Sequence, residues 1–138
     1  DYDYLETIVT LKQVVDGAPE LLAHLTKRGP VHVLSNGFAN LQSRKLKSGG
    51  IDKYITKLIL SDDIDVTKPD RRLFDYALEQ VGGTPETTVM IGDNYDADIL
   101  GANNAGWHTI FFNRKNVVLE TNVADLTVTR LTDIIAWL

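Results

Sequence analysis

Apolar positions along this chain alternate between helical and strand spacing. Leu21, Leu22 and Leu25 form a helical stripe after Asp16-Gly17-Ala18-Pro19. Proline in a first turn sacrifices no hydrogen bond, and Lys27-Arg28-Gly29-Pro30 closes the run as a helix end should. Val31-His32-Val33-Leu34 is short, apolar and bounded by turn residues, which predicts a strand buried on both faces. Phe38, Leu41 and Leu46 predict a second helix, closed by Gly49-Gly50. Ile55-Thr56-Lys57-Leu58-Ile59-Leu60 predicts the next strand, which runs into an acidic loop over 61–70. Leu73, Phe74, Ala77, Leu78 and Val81 mark an amphipathic helix that stops at Gly82-Gly83. Val89-Met90-Ile91 reads as a strand, 95–105 as a helix and 107–112 as a further strand. The stretch 113–127 looks irregular, and Leu131, Ile134, Ile135 and Leu138 form a last helical stripe.

Short strands separated by helices predict an α/β, Rossmann-like, three-layer fold with a mostly parallel sheet. The first residues fit less well. Leu5-Glu6-Thr7-Ile8-Val9-Thr10-Leu11 carries β-branched residues with partial alternation, and reads as a strand or as a short helix entering a linker.

Composition narrows the function classes. The chain has 138 residues, which suits one domain able to bury a sizeable core. Its net charge of -5 and its lack of a long basic run argue against a nucleic-acid partner. There are no cysteines, so disulfides and thiolate metal sites are excluded. No apolar run approaches the roughly 20 residues that span a bilayer, so no membrane partner is expected. The N-terminus is acidic and aromatic, unlike a secretory leader, and a cytoplasmic protein is the expectation.

The candidate chemistry lies where strands end. In parallel sheets, working groups collect at the carboxyl edge. Ser35-Asn36-Gly37 follows one strand, Lys68 lies beyond the next, and Asp93 follows a third, with Asp98 on the helix after it. A hydroxyl, backbone N–H groups at a helix start and a lysine together suit a phosphoryl group. Aspartates at one point suit Mg²⁺, which takes oxygen ligands and retains water. Each residue also has a structural role open to it: Ser35 as a helix N-cap, Lys68 as a solvated loop lysine, Asp98 as a helix N-terminal acid. The joint placement at successive strand ends favours the site.

These residues resemble the motifs of the haloacid dehalogenase superfamily, in its phosphatase-like branch with a cap inserted early in the sequence. Val33-Leu34-Ser35-Asn36-Gly37 is similar to its second motif, Lys68-Pro69-Asp70 with Leu73-Phe74 to its third, and Gly92-Asp93-Asn94-Tyr95-Asp96-Ala97-Asp98-Ile99-Leu100-Gly101-Ala102 to its fourth. The resemblance implies a Mg²⁺-dependent phosphomonoester hydrolase acting through an aspartyl-phosphate. Ser35, with Asn36 and Gly37, would bind the phosphoryl group, and Lys68 would stabilise its charge. Asp93 would be a direct Mg²⁺ ligand, and Asp98 would act through a metal-bound water or by orienting Lys68. The substrate would be a small phosphorylated metabolite, a nucleotide or a sugar phosphate.

The N-terminus departs from that family. Its first motif is an apolar strand ending in Asp-x-Asp, which supplies the nucleophile. Asp1-Tyr2-Asp3 is a literal match, but no strand precedes it. On this reading, residues 1–15 are a remnant of cap or linker, 16–138 are the core domain, and the chain is a C-terminal fragment, inactive alone. The sheet would then lack its usual central first strand, and residues 7–11 or a second copy of the chain would fill the slot. Three alternatives remain open: a non-catalytic phosphate- or metal-binding module, a 2-haloacid dehalogenase, and a receiver-like domain. The order Ser, Lys, Asp disfavours the last.

Overall fold

The computed structural model describes residues 4–11, 15–36 and 39–138, and the side chains of all of these but 39–42. Asp1, Asp3 and Gly37, singled out above, lie outside the described residues.

Six parallel strands form one sheet in the order β3-β2-β1-β4-β5-β6. They are β1 (Glu6–Thr10), β2 (Val31–Ser35), β3 (Ile55–Leu60), β4 (Thr88–Gly92), β5 (His108–Phe112) and β6 (Leu126–Val128). The helices are α1 (Ala18–Leu25), α2 (Ala39–Ser48), α3 (Arg71–Val81) and α4 (Gly101–Asn104). The expected α/β class and parallel sheet are both present.

β1 takes the central slot that residues 7–11 or a second copy of the chain were expected to fill. It lies between the Val31 and Val89 strands, pairing Val9 with Val33 on one side and Thr10 with Gly92 on the other. The segment named as the candidate filler, 7–11, does so one residue earlier. All five β1 positions are buried, although Glu6, Thr7 and Thr10 are polar. Their polarity left a reading by hydrophobic pattern divided between a strand and a short helix. Glu6 Oε2 lies 2.7 Å from His32 Nε2 of β2, and its other oxygen accepts from the Tyr4 hydroxyl. A buried carboxylate with two such partners avoids most of the cost of leaving water.

Each face of the sheet carries its own core. On one, Leu21, Leu22 and Leu25 of α1 pack with Val9, Val31, Val89, Ile91 and Ile110, and with Leu131 and Ile134 of the tail. On the other, Leu73, Phe74 and Ala77 of α3 pack with Ile8, Leu34, Met90, Ala102 and Trp107. The rings of Phe74 and Trp107 meet edge to face, with centroids 5.3 Å apart.

Two expectations change at the C-terminal end. At the end of the stretch read as irregular, Leu126–Val128 adds strand β6 against β5. The Asp125 carboxylate accepts from Thr109 N at 2.9 Å and fixes its entry. A three-residue strand with one exposed middle position offers no alternation to read. The last stripe forms a 3-10 turn, Leu131–Ala136, rather than an α-helix. Its i, i+3 spacing still buries Leu131 and Ile134.

Candidate functional site

Because every strand runs the same way, Thr10, Ser35, Leu60 and Gly92 all finish at one edge of the sheet. The loop after β3 returns Lys68 to this edge. Its backbone N–H donates to Asn36 Oδ1 at 3.3 Å, tying the loop to the end of β2. The Lys68–Pro69 peptide is cis. Asp70 then caps α3, its carboxylate accepting from Arg72 N at 2.9 Å.

The lysine side chain runs inward. Lys68 Nζ lies 2.9 Å from Asp98 Oδ1, with the two side chains 8% and 2% exposed. The same ammonium donates to the Thr10 hydroxyl. These contacts make Lys68 a buried, doubly held cation, not a solvated loop lysine.

Asp98 is positioned by the turn that follows β4. Tyr95–Leu100 forms a π-helical turn that leads into α4. Asn94 caps it, its side chain accepting from Ala97 N at 3.0 Å. Asp98 Oδ2 accepts from Asn94 N at 3.1 Å, and Asn94 O accepts from Asp98 N at 2.8 Å. Two glycines permit the close packing here. A Cβ on Gly92 would come within 2.5 Å of the Asp98 Cβ, and one on Gly101 within 2.4 Å of the Phe74 ring. Gly92 therefore lets the turn seat on the sheet, and Gly101 lets α4 seat on α3.

Burial pushes the Asp98 carboxyl up from its ordinary range, while the Lys68 charge and hydrogen bond and the Asn94 N–H oppose the shift. The Asp93 charge adds to the upward push, which places the two carboxylates within electrostatic reach of each other.

The residues named from sequence thus divide as follows. Lys68, Asp98 and Asn36 are joined by direct contacts. Ser35, half-buried, ends β2, and Asp93 directly follows β4 at the same edge. Sequence reasoning missed Thr10 and Asn94. Thr10 became visible only once β1 was placed in the sheet. Asn94 carried a cap signal, a helix-start Asn before an acidic turn, which was absorbed into the motif.

The donor set for Mg²⁺ is sparse. Among the described residues, no group of three or more His, Cys, Asp or Glu is placed to hold a metal. Both Asp98 oxygens are engaged. That set does not fit a cage built from protein alone. It fits Mg²⁺ held by one or two carboxylates, with water and phosphate oxygens completing the shell.

Two concave clefts are lined by residues other than Lys68. One of about 320 Å³ is lined by residues including Ser61, Asp62, Asp65, Thr67 and Asp70 of the acidic loop and Arg72 of α3. The other, of about 850 Å³, is lined by residues including Gly17, Glu20, Phe112, Arg114 and Arg130. Among the described residues, no helix is long and apolar enough to cross a membrane.

Comparison with known proteins gives a consistent picture. A family model described as haloacid dehalogenase-like hydrolase matches residues 1–106. The pyrimidine 5'-nucleotidase YjjG of Escherichia coli is 34% identical over 111 residues, covering 80% of this chain and 49% of the relative. The HAD-hydrolase YfnB of Bacillus subtilis, in a magnesium-bound crystal structure, superposes with a TM-score of 0.81 at 25% identity, covering 89% of this chain and 54% of the other. A dehalogenase crystal structure superposes with a TM-score of 0.85 at 26% identity, covering 90% of this chain and 56% of that one. The chain spans about half the length of the curated relatives it matches.

Proposed function

Because the chain belongs to the haloacid dehalogenase-like hydrolases, we propose that it carries the phosphate- and magnesium-binding part of a phosphomonoester hydrolase. The observation that carries this reading is the Lys68–Asp98 pair at the carboxyl edge of the sheet, next to the ends of β2 and β4. A lysine fixed there is a preorganised positive charge for a phosphoryl group. Ser35 and Asn36 would bind the phosphoryl oxygens, and Lys68 would offset their charge. Asp93, with Asp98 behind it, would hold Mg²⁺, which when bound neutralises phosphate charge. Asp98 serves chiefly by orienting Lys68, since both its oxygens are already engaged.

Between the ends of β2 and β4, the central strand ends in Thr10, not in a carboxylate. In this reading the described residues bind a phosphate ester, and the attacking aspartate of the whole protein comes from elsewhere. The similarity to a pyrimidine 5'-nucleotidase favours a nucleoside monophosphate as substrate of that whole protein. A dehalogenase is disfavoured by Asp93 directly after Gly92, an acid suited to a cation.

Two measurements on the purified chain with MgCl2 test the reading. Calorimetric titration with inorganic phosphate is expected to show binding, and an aryl phosphate ester is expected to release no phosphate. Mg²⁺-dependent turnover lost on Asp1→Asn would show that the attacking carboxylate lies in this chain. Absence of phosphate binding would remove the site.

A further inference from the structure

Thr10 has no role in the sequence motifs, yet it sits where the site converges. It ends the central strand, directly across from Gly92 in register and beside the strand that ends at Ser35. It is 5% exposed. For packing alone, valine would serve as well at such a position, since it has nearly the same shape and no polar atom. A buried hydroxyl is costly unless hydrogen-bonded, and this one accepts from Lys68 Nζ.

We propose that Thr10 is a positioning residue for Lys68: its hydroxyl holds the ammonium at the carboxyl edge, where the phosphoryl group is bound. The inference rests on the phosphate-binding reading for its consequence, though not for the contact itself. Lys68 is held at its backbone by Asn36 and at its ammonium by Asp98. With those two anchors alone, the four-carbon side chain still rotates about the Asp98 oxygen. The Thr10 hydroxyl supplies the second point that fixes the ammonium direction. An ammonium has three donors. Asp98 and Thr10 take two, which orients the third.

The test uses the full chain as wild type, Thr10→Val and Thr10→Ser. Each is titrated with inorganic phosphate, and the Lys68 ammonium is observed through its ¹⁵N–¹H NMR correlation. Thr10→Val is expected to weaken phosphate binding about tenfold, in keeping with one lost charge-assisted hydrogen bond, while Thr10→Ser stays within about twofold of wild type. The ammonium signal should be sharp in wild type and Thr10→Ser and broadened in Thr10→Val. Rescue by serine separates the hydroxyl from mere packing. Equal phosphate affinity and an unchanged ammonium signal in Thr10→Val would overturn the proposal. If Thr10→Val does not fold, the wild type still decides: an ammonium already exchange-broadened there overturns it, and a sharp signal retained in Thr10→Ser supports it. If wild type binds no phosphate, the functional reading fails, while the ammonium signals alone decide the role of Thr10.

Discussion

Lys68 and Asp98 form an ion pair withdrawn almost entirely from water. Such a pair adds little net stability, but removing one member strands the other. Asp98→Ala should therefore lower unfolding free energy by about 3 kcal/mol, and the double variant Lys68→Met, Asp98→Leu should recover most of that loss. Urea unfolding of the three chains checks this; a single variant as stable as wild type would contradict the buried pair. Asp70 gives a prediction in pH. Its hydrogen bonds from Arg72, side chain first and backbone second, hold its carboxyl down to about 2 from the ordinary 3.8. The folded value lies below the unfolded one, so the stability this cap contributes is present above the unfolded pKa and is lost as pH falls through about 2. A carboxyl titration by NMR should find the Asp70 midpoint near 2, and a midpoint near 4 would contradict the cap. At this scale the sequence singled out Lys68, Asp93 and Asp98, because acids and a lysine after apolar runs leave a signal. It was silent on Thr10, because a threonine at the end of a partly polar segment leaves none.

Among the elements, β1 and the turn after β4 do most to shape the site. Ile8 of β1 is fully buried between the strands ending at Ser35 and Gly92. Ile8→Ala should cost about 2–5 kcal/mol. The backbone amides of Thr7 and Val9 should be among the slowest to exchange with D₂O, as central-strand amides are; rapid exchange there would place β1 outside the sheet. Gly101→Ala should destabilise by about 1–3 kcal/mol, because Phe74 must move to admit the methyl group. A variant of unchanged melting temperature would show that the α3–α4 contact is looser than described. Helices α1 and α3 were legible from spacing because each has one apolar stripe. β1 was legible only as a strand or a short helix, because strand pairing is a long-range choice and its buried Glu6 finds its partner on β2. β6 was not, because three residues carry no period.

For the whole molecule, topology does what no single motif could. Residues 10, 35, 68 and 93 are far apart in sequence, and one parallel sheet delivers them to a common edge. The alternation of helix and strand made that edge predictable, along with the fold class. For the middle of the sheet it offered residues 7–11 or a second copy of the chain, and β1 is what fills it. The chain is acidic overall, at -5, so an anionic ligand must be recognised by local charge rather than by the general field. Among the described residues, the Lys68 edge offers local positive charge, and so does the cleft of about 850 Å³ that Arg114 and Arg130 help line. The most direct discrimination is a single ¹H–¹⁵N NMR titration of the wild-type chain with inorganic phosphate in the presence of MgCl2. The expected result is saturable movement of the amide signals of Thr10, Ser35, Asn36, Lys68 and Asp93 with one common midpoint. Movement confined to the amides around Arg114 and Arg130, or none at all, would contradict a phosphate site at the carboxyl edge.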